Sequence, residues 1–356
     1  GSRTISTVQP NGARTSLAYK DNPCRINTYG NSFTQCSQVS DGETWQEYLA
    51  VHFGEPIRNF GMGGYGTYQA YRRMIREENS EYSADYIVLY LWGDDHLRSV
   101  MRCRHAVIYR VWDHQQGRMF HNNFWANIEL DVDTGEWVEQ DNLLPTPKSL
   151  YKMCDPEFMV AALRNDLMVM MYAAVNKWAQ LNEKELDKID KLAGVLHVPP
   201  TERGAETALL SSINRIMTTY GYAASKHILQ LAREFSEQNN KKLLIVEFDP
   251  ASTYSLLHDN GRHDLPLITF LEEENFQYFD MNLAHLRDFK TFSLTPDDYM
   301  ARYCIGHYSP VGNHFFAFQL KNTLVEWLEP APLPYRKGDW NPADFQGYLP
   351  ELRKGD

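Results

Sequence analysis

Three polar turns and one late histidine carry the residue types that acyl chemistry needs. Gly30-Asn31-Ser32 places a serine between a strand-like and a helix-like segment. A serine there stands at a helix N-terminus, where unsatisfied backbone N–H groups favour developing negative charge. The glycine-rich run Gly61-Met62-Gly63-Gly64-Tyr65-Gly66 forms the second turn. A glycine such as Gly64 lets the backbone approach a ligand closely and point an N–H at it. The third turn, Gly93-Asp94-Asp95-His96, brings two carboxyls and an imidazole. His307 lies just before the last helix, with no apolar-face spacing to explain it as core, and a histidine there can deprotonate a serine hydroxyl. Two of these also have a plain structural reading: Ser32 as a helix N-cap and Gly64 as a turn residue. Ser32 is not in the GxSxG elbow of α/β-hydrolases.

The segments between these turns must position them. Residues 24–29 read as a strand running into the first turn, and 44–53 as the helix that follows. Residues 57–60 form a second strand candidate, and 67–78 the helix after its turn. Residues 85–92 (DYIVLYLW) are almost continuously apolar and β-rich, as in a strand buried on both faces, and end in the third turn. Strand, turn, helix, repeated, predicts an α/β fold: a doubly wound three-layer α/β/α arrangement with a parallel sheet. In such sheets the ligand site lies at the carboxyl ends of the strands, where all three turns fall. The rhythm returns at 242–248 (KLLIVEF), with a helix over 265–274, a strand over 276–279, a loop and short helix over 294–303, and a terminal helix over 312–327.

Between these halves the pattern changes. Residues 106–111 suggest a strand, and 124–132 with 136–139 a hairpin around Asp133-Thr134-Gly135. One long helix is expected over 157–181, another over 183–196, and two more over 205–220 and 222–238. We read 100–203 as a large mixed insertion capping one domain that spans 22–328, with 329–356 as a tail wrapping the surface.

Taken together, the blocks resemble the SGNH hydrolase family, the GDSL-type lipases and esterases. The resemblance rests on Gly30-Asn31-Ser32-Phe33-Thr34 and on Asn59-Phe60-Gly61-Met62-Gly63-Gly64-Tyr65-Gly66-Thr67-Tyr68-Gln69. Gly93-Asp94-Asp95 and His307-Tyr308-Ser309-Pro310-x-Gly312-Asn313 complete it. It covers about 22–96 and 241–328 and implies a flavodoxin-like fold of SGNH type. It implies Ser32 as nucleophile, His307 as general base, and the N–H groups of Ser32 and Gly64 as oxyanion donors. Asp95, His96 and Asn31 are expected near substrate or in acid–base roles.

Two positions depart from the family pattern. The third oxyanion donor is normally an Asn side chain, and here it is Asp94. An ionised carboxylate about 4 Å from an oxyanion repels it by roughly 4 kcal/mol at an effective dielectric near 20, about a thousandfold in rate. Asp94 is therefore expected to be protonated, turned away or used for other chemistry. The acid that orients the histidine normally lies two or three residues before it, at Ile305 or Cys304 here, and neither side chain can do this. Asp297, Asp298, a backbone carbonyl or a bare Ser–His dyad are the alternatives.

Composition narrows the classes. With 35 Lys and Arg against 46 Asp and Glu, the net charge of −11 disfavours nucleic-acid binding. The best basic cluster, Arg102, Arg104, His105 and Arg110, reads as a solvated face or an anion-binding wall. No apolar run approaches the roughly 20 residues of a membrane span. The five cysteines include no CxxC pair, and His258 and His263 lack helical ligand spacing, so no metal or other cofactor is expected. The 21 Tyr and 8 Trp suit an amphipathic ligand. The resemblance implies a small acyl ester as substrate, and resemblance and aromatic content together suggest an O-acetylated carbohydrate. Two other readings stay open: acyl transfer or non-ester chemistry through Asp94 on the same scaffold, and a binding module without catalysis.

Overall fold

The computed structural model describes residues 3–104 and 123–336. In chain order its first elements are β1 (Ile26–Tyr29), α1 (Ser32–Gln35), α2 (Trp45–Phe53), β2 (Arg58–Asn59), α3 (Thr67–Glu78) and β3 (Tyr86–Leu91). Then come α4 (Asp95–Ser99), β4 (Asn127–Leu130), β5 (Trp137–Gln140), α5 (Pro156–Leu163), α6 (Leu167–Val175), α7 (Glu183–Val195) and α8 (Glu206–Gln238). The chain continues through β6 (Lys242–Glu247), α9 (Pro250–Leu257), α10 (Leu265–Glu273), β7 (Tyr278–Asp280), α11 (Met281–Phe289), α12 (Pro296–Tyr303) and α13 (Pro310–Trp327). The described residues fall into two compact units, one within 1–65, 70–93 and 230–356, the other within 66–69 and 94–229. The expected insertion over 100–203 lies inside the second.

The first unit is built on a five-stranded sheet in the order β2-β1-β3-β6-β7, every pairing parallel. Counted within the sheet this is 2-1-3-4-5, the flavodoxin-like order, which puts the strand-order reversal between β1 and β3. β3 is buried at all six positions, as its unbroken apolar run requires. One face carries Ile26, Val88, Tyr90, Leu244 and Val246, packed in a single cluster with Trp45, Leu49 and Phe53 of α2 and Phe315, Phe316 and Leu320 of α13. On the other face Asn27 and Tyr29 both donate to Glu78 Oε1 of α3, at 2.8 and 2.7 Å. Glu78 also pairs with Lys241 Nζ at 2.9 Å. Helices therefore flank both faces, and the three-layer α/β/α expectation holds.

The second unit contains the antiparallel β4–β5 hairpin, closed through Asp131 and Gly135 around the expected turn. Two helix expectations need correction there. The long helix over 157–181 is two helices, α5 and α6, meeting at 96°. Asp166 ends the continuity by capping α6, its carboxylate accepting from the Val169 N–H at 3.0 Å. Conversely, 205–220 and 222–238 are one helix of 33 residues, α8. Gly221 does not break it; a Cβ at this position would come within 3.0 Å of Leu97 Cδ2 and 3.2 Å of the His96 backbone, so the glycine serves close packing.

The strand suggested over 106–111 lies outside the described residues, as does the tail beyond 336. No single helix among the described residues is long and apolar enough to cross a membrane.

Candidate active site

The site begins with the way β1 ends. Asn31, fully buried, caps α1 by accepting from the Phe33 N–H at 2.8 Å. That makes Ser32 the first residue of a one-turn helix, and Asn31 takes the capping role that the sequence equally offered to Ser32. The helix stops at Cys36, which turns left-handed (φ 58°) and returns its N–H to the Ser32 carbonyl. Gln38 is also left-handed, at φ 74°. Two left-handed residues within three positions thus turn the chain out of α1.

The second block is sewn to the first. The Met62 N–H donates to the Gly30 carbonyl at 3.0 Å, and the Gly63 N–H to Gln35 Oε1 at 2.8 Å. A Cβ on Gly61 would sit 2.2 Å from the Gln35 backbone nitrogen, so only glycine lets the two turns approach this closely. Gly64 follows, with φ 80°.

His307 arrives from the loop between α12 and α13. The loop is tight: Cys304 and Tyr308 form an antiparallel bridge, and the Ile305 N–H donates to the His307 carbonyl at 2.7 Å. The imidazole packs on Phe33, with centroids 4.8 Å apart, and Phe33 is itself fixed by Trp92 and Phe248. His307 Nε2 lies 2.7 Å from Ser32 Oγ. His307 Nδ1 lies 3.1 Å from Gln38 Oε1, and the same oxygen receives the His307 backbone N–H at 2.8 Å. The backbone donor fixes which end of the amide faces His307. An amide oxygen can only accept, so Nδ1 carries the proton and Nε2 is left to accept from the serine hydroxyl. This is the tautomer that a general base needs.

Gln38 thus stands where the sequence offered no acid. Asp298 instead accepts from the Thr295 hydroxyl at 2.7 Å within the α12 cap, and Asp297 lies against Tyr254. Sequence reasoning missed Gln38 because its partner is 269 residues away. The one local trace is Gly306, where a Cβ would come within 3.0 Å of Gln38 Oε1. Asn313, in the last block, ties α13 to α2 by accepting from the Trp45 N–H at 3.2 Å.

The third block divides. Gly93 belongs to the first unit, where a Cβ would meet the Asp249 carboxylate at 2.5 Å. Asp94, Asp95 and His96 belong to the second. Asp94 precedes α4, with a side chain 64% exposed and 3.5 Å from Arg98 Nη2, a separation and exposure that make the pair a weak one. Asp95 is buried, 3.5 Å from Arg98 Nη1. His96 is buried with Nδ1 2.8 Å from Ser225 Oγ and its ring against Tyr222. Among the described cations of the expected basic cluster, Arg102 pairs with Glu129, and Arg104 is buried over Trp125. His105 and Arg110 lie outside the described residues. The five cysteines are free thiols, Cys36 buried and Cys24 half-buried. His263 pairs with Asp249 at 2.9 Å, and among the described residues no group of three or more metal-ligating side chains converges.

Compared with known protein families and with curated proteins, the chain matches none.

Proposed function

We propose that the protein is a serine hydrolase of SGNH type that cleaves small acyl esters. The observation that carries this reading is the 2.7 Å contact between Ser32 Oγ and His307 Nε2, with Nδ1 held by Gln38. Ser32 Oγ attacks the acyl carbonyl while Nε2 takes its proton. The backbone N–H groups of Ser32 and Gly64 receive the oxyanion. The imidazolium then protonates the departing alcohol, leaving an acyl group on Ser32. Water attacks that ester, His307 again taking the proton, and the carboxylic acid leaves as Ser32 is restored. Gln38 orients the ring but brings no charge. The imidazolium is accordingly less stabilised than beside a carboxylate, and turnover is expected to be slower than in a full triad. The blocks around Ser32, Gly64 and His307 and the aromatic-rich composition make a small acetyl ester, such as an O-acetylated carbohydrate, the first substrate to offer.

The test is intact mass after exposure to a fluorophosphonate, whose fluoride an activated serine displaces. One adduct on the unmodified chain and none on Ser32→Ala is expected. A folded chain that takes no adduct, or one still labelled in Ser32→Ala, overturns the reading.

A further inference from the structure

The turn that carries Gln38 is held from outside. Cys36 and Gln38 are both left-handed, at φ 58° and 74°, a conformation that L side chains disfavour. Arg14, from the segment before β1, enters this turn with a side chain only 2% exposed. Each of its five N–H donors meets an acceptor there. Nη1 donates to the carbonyls of Gln35 and Cys36, both at 2.7 Å. Nη2 donates to those of Val39 at 2.6 Å and Ile5 at 3.4 Å. Nε donates to Asp41 Oδ1 at 2.9 Å, and the Asp41 carboxylate also accepts from the Thr7 N–H at 3.1 Å. The Arg14 backbone N–H donates to the Asn59 carbonyl at 2.8 Å, at the end of β2.

Gln35, Cys36 and Val39 lie on both sides of Gln38 in the chain, so a single planar guanidinium fixes the backbone that enters and leaves it. The Gln38 side chain then reaches His307, its Oε1 accepting from the backbone N–H at 2.8 Å and from Nδ1 at 3.1 Å. A base whose tautomer depends on one amide oxygen needs that oxygen held in place, because a hydrogen bond weakens steeply as its geometry is lost. A lysine in place of Arg14 would bring the same charge but three donors for five acceptors, and no fork to span the turn.

We propose that Arg14 is a positioning residue for the reaction at Ser32: through the carbonyls of Gln35, Cys36 and Val39 it sets the turn that presents Gln38 Oε1 to His307. The inference rests on the hydrolase reading of that site. Arg14 acts through Gln38, not on the reacting atoms.

The test takes Arg14→Lys through kinetics on a small acetyl ester, alone and combined with Gln38→Leu, in the full chain. Alone it should lower kcat by about tenfold with KM within about twofold, as when a catalytic group is slightly displaced from afar. In the Gln38→Leu background the same substitution should cost less than about twofold, because the two residues act through one contact. An equal loss in both backgrounds, or a loss carried by KM, overturns the proposal. A second readout needs no turnover: the imidazole nitrogen NMR spectrum, with His307 assigned by its absence in His307→Ala. At about pH 8, where an ordinary imidazole is neutral, His307 of the unmodified chain should carry its proton on Nδ1, and Arg14→Lys should move population to Nε2. An unchanged His307 spectrum overturns the proposal. If the unmodified chain takes no fluorophosphonate adduct, the hydrolase reading has failed, and this spectrum still decides whether Arg14 sets the His307 tautomer. Should Arg14→Lys fail to fold, Asp41→Asn, which removes the charge facing the guanidinium but keeps an acceptor for Thr7, goes through both measurements with the same expected signs and the same overturning results.

Discussion

His307 and His285 are linked through a single residue, yet their surroundings are opposite. Tyr308 follows His307 in the chain, and its hydroxyl lies 2.7 Å from His285 Nε2. His285 Nδ1 faces the Tyr299 hydroxyl at 3.0 Å, and that hydroxyl lies 2.9 Å from Asp288 Oδ2, to which it can donate while accepting from Nδ1. His285 is fully buried, and burial pushes its imidazole down to about 3, so it stays neutral. His307 also has a hydroxyl on Nε2, but that hydroxyl belongs to a half-buried serine at a strand end. The same hydrogen-bonding pattern therefore serves a core clamp in one place and a candidate base in the other. What separates them is access: a proton moved onto His285 has no solvent or substrate to come from, and burial opposes the charge.

Substitutions should divide along that line. His307→Ala should lower kcat/KM for a small acetyl ester by about 10²–10⁴-fold, the usual weight of a general base, with little change in the denaturation midpoint. His285→Ala should destabilise the chain by about 2–4 kcal/mol, since it leaves a cavity and strands the buried Tyr308 hydroxyl, while the folded fraction still labels at Ser32. The contrast breaks if the first substitution unfolds the protein or the second abolishes labelling of folded chain.

Gln38 sharpens the comparison from the side of His307. Gln38→Leu should cut kcat by about 10- to 100-fold with KM nearly unchanged, because the ring loses its orientation and tautomer. Gln38→Glu should restore or raise kcat, because a carboxylate also accepts both N–H groups and adds charge for the imidazolium. A loss in both variants would mean that Gln38 acts on the loop alone.

The last contrast is in stability against pH. His285 titrates near 3 when folded and near 6.5 when unfolded. Below 6.5 the unfolded chain takes up a proton that the folded chain refuses, so this contribution falls as pH drops toward 3, by about 1.4 kcal/mol per pH unit. Denaturant titrations across that window should show a shallower slope in His285→Phe than in the parent. Equal slopes would mean that His285 takes up its proton without unfolding.

The order of strands, turns and helices in the first unit was readable because each strand is a short apolar run and each turn is marked by glycine. Ser32 and His307 were readable as residues set at turn positions. The second unit was harder. Two signals there were misleading in different ways: Asp166, acting as an ordinary N-cap, started a new helix inside an apolar stretch, and Gly221 sat within an unbroken one. Local propensity does not reveal which backbone will pass close by, and that proximity decided the role of Gly221.

The sequence by itself determined the parallel α/β rhythm, the serine at a strand end and the absence of an acid before His307, since these depend on residues near one another in the chain. Only the tertiary structure decided that His307 reaches Ser32, and that a neutral amide from Gln38 holds it. Those contacts span 275 and 269 residues. No local pattern encodes them; they exist because a parallel sheet brings the ends of distant segments to the same edge.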